Sequence, residues 1–560
     1  MWGSKLSAVL SALSLTGVPA TTDAEVEVAI VESNVKQVAV IGAGAGGSST
    51  AYFLQQYAEA EGIPVNITIF EKTDHIGGRT LTVDAYDNPL ERVELGASIF
   101  IEANYILYNA SQQFGLPLKE PESGSDGFLG IWDGDQFVYT QDDTSWEWWN
   151  LAKLFWKYGL APYKAQKLVQ ATVATFLKLY EEPYFPFRSL TQRAFELDLL
   201  KATSVTGDQF LANNEIGELF SQQIIQAATR VNYASNLKYI HGLETMVSMA
   251  PEGAKQVVGG NWQIFDTMLR NTNATLNRNT SVTSITVKSG PSSSKYLLTT
   301  KSLNSETEGG GEADQHPVAF DNVVIATPWQ YSDINVAEDL FQHKIDHIPY
   351  TKLHVTLFAS PFRLSPEYFG LPAGSKAPDT VLTTLPKTEE AKVGAEGAGK
   401  AGFYSISTLR TATNPETLKD EFIYKIFSPD KVAAEFLSSL LGVEVPSTIV
   451  STDENAAQTV KPISWYHPHV FNSYPIEYPR VTFQDPILRD GLYYLSGIES
   501  FISCMETSAL MGKNIAKLIT QDFASLDTNE AGDEKTKIET DGTQQVLDQS
   551  EKEGITADEL

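Results

Sequence analysis

The feature that most constrains this chain is a strand, turn and helix near its start. Val38-Ala39-Val40-Ile41 is a short apolar run that reads as a buried parallel strand. Gly42-Ala43-Gly44-Ala45-Gly46-Gly47 follows directly in the spacing G-x-G-x-x-G, and Ser48 to Ala60 continues as a helix carrying Tyr52, Phe53 and Leu54. In that context each glycine has a mechanical reading. Gly42 allows the tight turn, Gly44 lets a pyrophosphate approach the backbone, and Gly47 lets helix and strand pack closely. The helix N-terminus offers free N–H donors to the phosphates. A second strand, Val65 to Phe70, leads into Glu71, whose carboxylate accepts hydrogen bonds from an adenosine ribose and repels a 2′-phosphate. The expectation is a doubly wound, Rossmann-type α/β unit holding a dinucleotide.

A second G-x-G-x-x-G, Gly397 to Gly402, follows the polar Lys387–Glu396 and precedes the strand-like Phe403–Ile406. Loop before strand is the wrong order, so this segment reads as a flexible loop. With one dinucleotide site and no second, electrons taken from a substrate must leave by another route, and molecular oxygen is the simplest acceptor.

Composition and the two ends set further bounds. The chain has 560 residues and a net charge of −29, from 70 acidic against 41 basic side chains. Such a surface repels phosphate backbones, so no nucleic-acid partner is expected. Cys504 is the single cysteine, and the eight histidines show no H-E-x-x-H spacing; no disulfide framework and no metal site is expected. Lys5, the apolar run Leu6–Val18 and small residues at Ala20 and Ala24 read as a secretory signal peptide over residues 1–24. Sequons at Asn66, Asn109, Asn273 and Asn279 permit glycosylation. Residues 527–560 carry 11 acidic and 3 basic side chains without an aromatic, which predicts a disordered acidic tail. It ends Ala557-Asp558-Glu559-Leu560, similar to the endoplasmic-reticulum retrieval signal. These features predict the lumen of the secretory pathway, with the endoplasmic reticulum, a lysosome or vacuole, or secretion as destinations.

His75-Ile76-Gly77-Gly78-Arg79-Thr80 comes soon after the ribose carboxylate. It resembles the GG-doublet flavoproteins, among them amine oxidases and carotene desaturases. The resemblance implies FAD, with Gly78 and Arg79 packed on it and Arg79 near the pyrophosphate. Glu94-Leu95-Gly96-Ala97-Ser98 is similar to the family's next piece, which approaches the flavin. Thr280–Val287 and Lys295–Thr300 read as strands of a meander around the turn Ser289-Gly290-Pro291, and the resemblance makes Val282 a candidate for backbone contact with the adenine. Val323-Ala326 reads as a strand returning to the first sheet. Gly491 to Glu499 and the helix-like Met505–Leu518 read as the closing element, assigning Gly497, Glu499 and Met505 to FAD. A helix N-terminus at the flavin stabilises negative charge by roughly 0.3–2 kcal/mol. Cys504 lies downstream of Gly-x-Glu, whereas the flavin-linking cysteine of amine oxidases lies upstream. It reads as a small buried hydrophobe rather than a covalent link.

Over residues 36–520 the chain resembles the prenylcysteine oxidase (prenylcysteine lyase) family. Leu154-Phe155-Trp156-Lys157-Tyr158-Gly159, Arg230-Val231-Asn232-Tyr233, Val258-Gly259-Gly260-Asn261 and Met505-Glu506-Thr507-Ser508-Ala509 carry the resemblance beyond the FAD motifs. Asp379–Gly402 and the acidic tail depart from it. The resemblance implies an amine-oxidase-like FAD domain assembled from residues 35–110, 255–330 and 485–525, with an α+β substrate domain from 111–254 and 331–484. It implies a lumenal FAD-dependent oxidase. A farnesyl or geranylgeranyl cysteine is cleaved at its thioether with oxygen and water, giving a prenyl aldehyde, cysteine and hydrogen peroxide. No catalytic acid or base stands out. Arg230 and Asn232 are candidates for the cysteine carboxylate or the flavin face, or else for a buried structural polar network. The aromatic stretch Trp146 to Tyr158, with Trp156, is a candidate for an apolar prenyl slot or for peripheral membrane contact. His467 and His469 are candidates to line a pocket, with a structural role as the leading reading. A lysine and an aromatic cage at the flavin would instead indicate an amine or polyamine oxidase. A third reading is a non-catalytic flavin-fold protein that binds lipid.

Overall fold

The computed structural model describes residues 35–121, 127–141, 147–251, 253–289, 294–303, 313–450 and 460–529. The leader, Trp146, the turn at Gly290-Pro291 and the tail beyond Asn529 lie outside the described residues.

The strand Lys36–Ile41 lies in the middle of a six-stranded sheet. Val65–Phe70 and Asn322–Ile325 flank it, both parallel to it. Thr275–Asn277 extends the sheet beyond Val65–Phe70, Leu492–Tyr494 extends it beyond Asn322–Ile325, and Ile487–Arg489 closes that edge antiparallel. Val38, Ala39, Val40, Val323, Val324 and Ile325 are completely buried because both sheet faces are covered, which is why these strands read as unbroken apolar runs. The helices Ala45–Glu61 and Met505–Asn529 cover one face. Their close approach depends on Gly512, where a Cβ would stand 2.5 Å from the Gly46 carbonyl oxygen. The other face packs on a four-stranded sheet built on the antiparallel pair Thr280–Ser289 and Ser294–Ser302, through Val282, Ile285, Leu298 and Phe320.

A seven-stranded sheet forms the other half. Its order is Trp465–Pro475, Tyr350–Ser360, Asp420–Ser428, Ser405–Thr413, Thr380–Thr383, Leu129–Trp132 and Phe137–Gln141. Side chains alternate between its faces. Phe358, Tyr424, Ile426 and Ile406 point into a core against the helix Ala434–Leu441. Leu353, Val355, Lys425, Phe427, Ser405 and Ser407 take the opposite face, which looks onto the six-stranded half. The helices between Glu147 and Ser248 pack around the join and share one large core with Ala45–Glu61 and Met505–Asn529.

Candidate active site

A single cavity of about 1000 Å³ runs from the glycine turn, past Glu71 and Arg79, to the inner face of the seven-stranded sheet. The backbone builds its first wall. Gly42 has φ +106°, a conformation that glycine adopts freely. A Cβ on Gly47 would lie 1.9 Å from the Gly42 carbonyl oxygen, so the turn folds back onto its own helix only with glycine there. Gly44 differs: a Cβ there would meet nothing nearer than the Gly78 Cα at 3.8 Å. Gly44 thus faces the cavity while Gly47 is a packing glycine that does not line it. The Gly77 N–H donates to the Ala43 carbonyl over 2.9 Å, which lays the Gly77-Gly78 backbone beside the turn.

Glu71 is buried at the end of its strand. Its Oε2 accepts from the Ala43 N–H at 2.8 Å, and its Oε1 accepts from the Thr73 N–H at 2.9 Å and the Thr73 hydroxyl at 2.8 Å. Each carboxylate oxygen takes two bonds, so Oε2 retains capacity for a ribose hydroxyl. Val282 lies in the wall beside it, next to a register shift in the meander. Arg79 pairs with Glu499 over 2.7 Å and donates to the Ser473 carbonyl, tying the glycine doublet, the closing element and the seven-stranded sheet together. Tyr350 donates to the other oxygen of Glu499 at 3.2 Å. Met505 and Cys504 bring the C-terminal helix N-terminus to the cavity. Glu506 points away from it. Its oxygens accept from the Ile106 and Leu107 N–H groups at 2.8 and 3.0 Å, which caps the helix Tyr105–Gln113. Burial pushes the Cys504 thiol up to about 12.

Not every candidate reaches the cavity. Gly497 is buried behind it, where a Cβ would stand 2.7 Å from the Gln484 Cβ, so this glycine serves packing. Arg230 is also behind the wall and completely buried. It donates to Thr383 at 3.0 Å, Asn236 at 2.8 Å, and the Gly397 and Ala398 carbonyls at 2.7 and 2.8 Å. Those carbonyls belong to the second glycine-rich segment. Gly394–Ala401 is therefore a packed 3₁₀ stretch held by Arg230, not a free loop. Asn232, two residues on, does line the cavity and donates to the Ser248 carbonyl at 3.0 Å. Trp156 is 93% exposed, because Leu154 and Tyr158 occupy the packed face of its helix. His469 lines the cavity and its ring packs on Phe471, which is the pocket-lining reading of this pair rather than the structural one. Sequence reasoning missed Lys425, Ser405, Ser407 and the Tyr233–Tyr474 ring pair. The one available signal was a lone lysine inside the apolar strand Asp420–Ser428.

The arrangement fits FAD. A glycine turn open toward the cavity, a buried carboxylate at the ribose position and a helix end at the far side match a dinucleotide with a ring system. Comparisons agree. A model of an NAD(P)-binding Rossmann-like domain matches residues 40–113. Cyclohexylamine oxidase from Brevibacterium oxydans shares the fold at a TM-score of 0.51 and 14% identity, covering 87% of this chain and 99% of that one. A fatty acid isomerase from P. acnes does so at 0.52 and 13%, with the same coverage. Farnesylcysteine lyase from Arabidopsis thaliana is 29% identical over 520 residues, 89% of this chain and 91% of its own. Prenylcysteine oxidase 1 from Bos taurus is 29% identical over 507 residues, 86% of this chain and 88% of its own. The prenylcysteine lyase model matches residues 141–534, most of the chain and five of the seven strands of the larger sheet, so the chain belongs to the prenylcysteine lyase family.

Proposed function

We propose that this chain is an FAD-dependent oxidase that cleaves prenylcysteine. The observation that carries the reading is one unbroken cavity joining the dinucleotide cradle to an apolar sheet face, in a chain whose family match spans that face. The balanced reaction is prenylcysteine, oxygen and water giving prenyl aldehyde, cysteine and hydrogen peroxide. Bound FAD supplies the two-electron acceptor for hydride removal from the allylic carbon beside sulfur.

The protein's own part is binding and exclusion. Gly44, Gly78 and the helix N-terminus at Ala45 offer backbone donors to the pyrophosphate, and Glu71 holds the ribose. Arg79 and Glu499 clamp the mouth of the cradle against the substrate sheet. The helix end at Met505 favours negative charge on the ring. Leu353, Val355, Leu409 and Phe427 give a prenyl chain a dry wall, and burial there holds the reacting carbon in one orientation.

Membrane access is part of this reading. Trp156 and Tyr163, on the helices Glu147–Tyr158 and Ala161–Phe176, are 93% and 53% exposed, and Leu160 in the turn between them is 63% exposed. The same helices carry Lys153, Lys157, Lys164 and Lys167 against one acid, Glu147, in a chain of net charge −29. Exposed aromatics with lysines suit an anionic bilayer surface. The leader and sequons support the secretory lumen; Asn66, Asn109 and Asn273 are exposed. The test is peroxide formation by the purified flavoprotein. Farnesylcysteine should support it, and spermidine and free amino acids should not. Turnover of spermidine alone would favour an amine oxidase.

A further inference from the structure

The substrate proposed above is an amino acid at one end and a hydrocarbon at the other, and the cavity must receive both. Its hydrocarbon side is the sheet wall of Leu353, Val355, Leu409 and Phe427. Arg230, the sequence candidate for the carboxylate, is spent on backbone carbonyls outside the cavity. Among the described cationic residues that line the cavity, which include Lys72, Arg79 and Arg92, only Lys425 is buried. Arg79 is already paired with Glu499, and Arg92 with Asp84 at 3.0 Å.

Lys425 sits in the middle of that wall. On its strand Phe427 is the next side chain on the same face, and Ser407 and Leu357 are its cross-strand neighbours. Its ammonium donates to the Glu94 carbonyl oxygen and to the Ser98 hydroxyl, both at 2.9 Å, and lies 5.1 Å from the Phe427 ring centre. An ammonium has three N–H groups, so these two bonds leave one. A lysine in a dry wall costs desolvation that two neutral acceptors only partly offset. Burial pushes it down to about 8, with the Glu94 carboxylate working against that shift. An arriving carboxylate would offset that cost directly.

We propose that Lys425 is the anchor for the carboxylate of the cysteine moiety, placing the amino-acid head at the Glu94–Ser98 corner of the cavity with the prenyl chain along the sheet wall. This rests on the prenylcysteine reading and assigns its head-group specificity to one side chain. Glu94, whose carbonyl accepts from Lys425 and whose Oε1 accepts from the Asn261 N–H at 2.7 Å, lines the same corner of the cavity and supplies a negative charge for the substrate's ammonium.

The test uses FAD-loaded enzyme and calorimetric titration with two unreactive ligands. S-dodecylcysteine keeps the head group and lacks the allylic carbon; S-dodecylcysteamine also lacks the carboxylate. The wild-type protein should bind the cysteine ligand at least 10-fold more tightly. Lys425→Met should weaken that ligand roughly 10- to 100-fold and leave the cysteamine ligand within about 3-fold, while Lys425→Arg keeps part of the difference. In turnover, KM for farnesylcysteine should rise in Lys425→Met with kcat little changed. Equal binding of the two ligands by wild type overturns the proposal, whether or not any variant folds. Equal weakening of both ligands by Lys425→Met, or slower peroxide formation with binding unaltered, also overturns it. Wild-type enzyme that binds neither ligand and leaves farnesylcysteine untouched would instead remove the parent reading, and this inference with it.

Discussion

The two glycines of the turn make opposite predictions, because one faces the ligand and the other faces the protein. Gly44→Val places its side chain in the cavity, with the nearest protein atom 3.8 Å from the Cβ. It should fold with the denaturation midpoint of FAD-free wild type and retain less than a tenth of the wild-type FAD, read from absorbance after gel filtration. Gly47→Val drives a Cβ into the Gly42 carbonyl 1.9 Å away and should lose soluble protein or at least 1–3 kcal/mol of stability. Arg230 gives a third contrast. Arg230→Met strands the Ala398 carbonyl and the Asn236 Oδ1 in a buried site and leaves the Gly397 carbonyl with the Asn236 amide alone. Each unpaired group costs about 1–3 kcal/mol, so urea denaturation should show a loss of roughly 3 kcal/mol or more. Any change in KM should then follow stability rather than substrate carboxylate. Cys504 is the fourth case. Its thiol is pushed up to about 12, so it should resist iodoacetamide at pH 8 in the native protein. Acid precipitation should release the flavin into the supernatant.

At the scale of elements, the dinucleotide half was legible because its chemistry is local. A strand, a glycine turn, a helix and a carboxylate follow one another within residues 36–71, and each is fixed by neighbours in sequence. The substrate half was not, because its wall is made by period-two alternation across strands far apart in the chain, such as Val355 beside Phe427. Nothing near Lys425 in sequence says that Glu94 and Ser98 will lie against it. The same distance effect explains Trp156. The run Leu154 to Tyr158 is apolar on more than one side, and only packing decides that Tyr158, which donates to Gln223 at 2.9 Å, turns inward while Trp156 stays out. That exposed face predicts a membrane readout. A Trp156→Ser, Leu160→Ser double variant should keep its thermal midpoint and its activity on detergent-dispersed substrate. It should lose most of its co-sedimentation with vesicles containing phosphatidylserine. Undiminished co-sedimentation, or none by the wild-type protein, would contradict membrane contact through this face.

Across the whole molecule, buried ionisable groups behind the cavity set a pH dependence. Burial pushes Glu244 up to about 8 and holds Glu477 well above the ordinary carboxylate range. Both bind their protons more tightly folded than unfolded, so the stability they contribute is present at low pH and is lost as pH rises toward 8. Burial and the nearby Arg480 push His241 down to about 3, which works the other way, but only below the ordinary histidine range near 6.5. Above about pH 7 the histidines lowered by burial have stopped contributing, whereas Glu244, Glu477 and Glu506, the last pushed up to about 7, still lose stability as they ionise, so the thermal midpoint should be higher at pH 7 than at pH 8. A flat or rising midpoint toward pH 8 would mean that these carboxylates are hydrated and ionised. The account as a whole depends on one cavity that places prenylcysteine against a bound flavin. Its most direct test is anaerobic mixing of the yellow protein with farnesylcysteine, followed by admission of air. The oxidised-flavin band should bleach without oxygen and return with it, with one equivalent of aldehyde and of peroxide per flavin. A band that stays unchanged with farnesyl- and geranylgeranylcysteine alike would contradict the account.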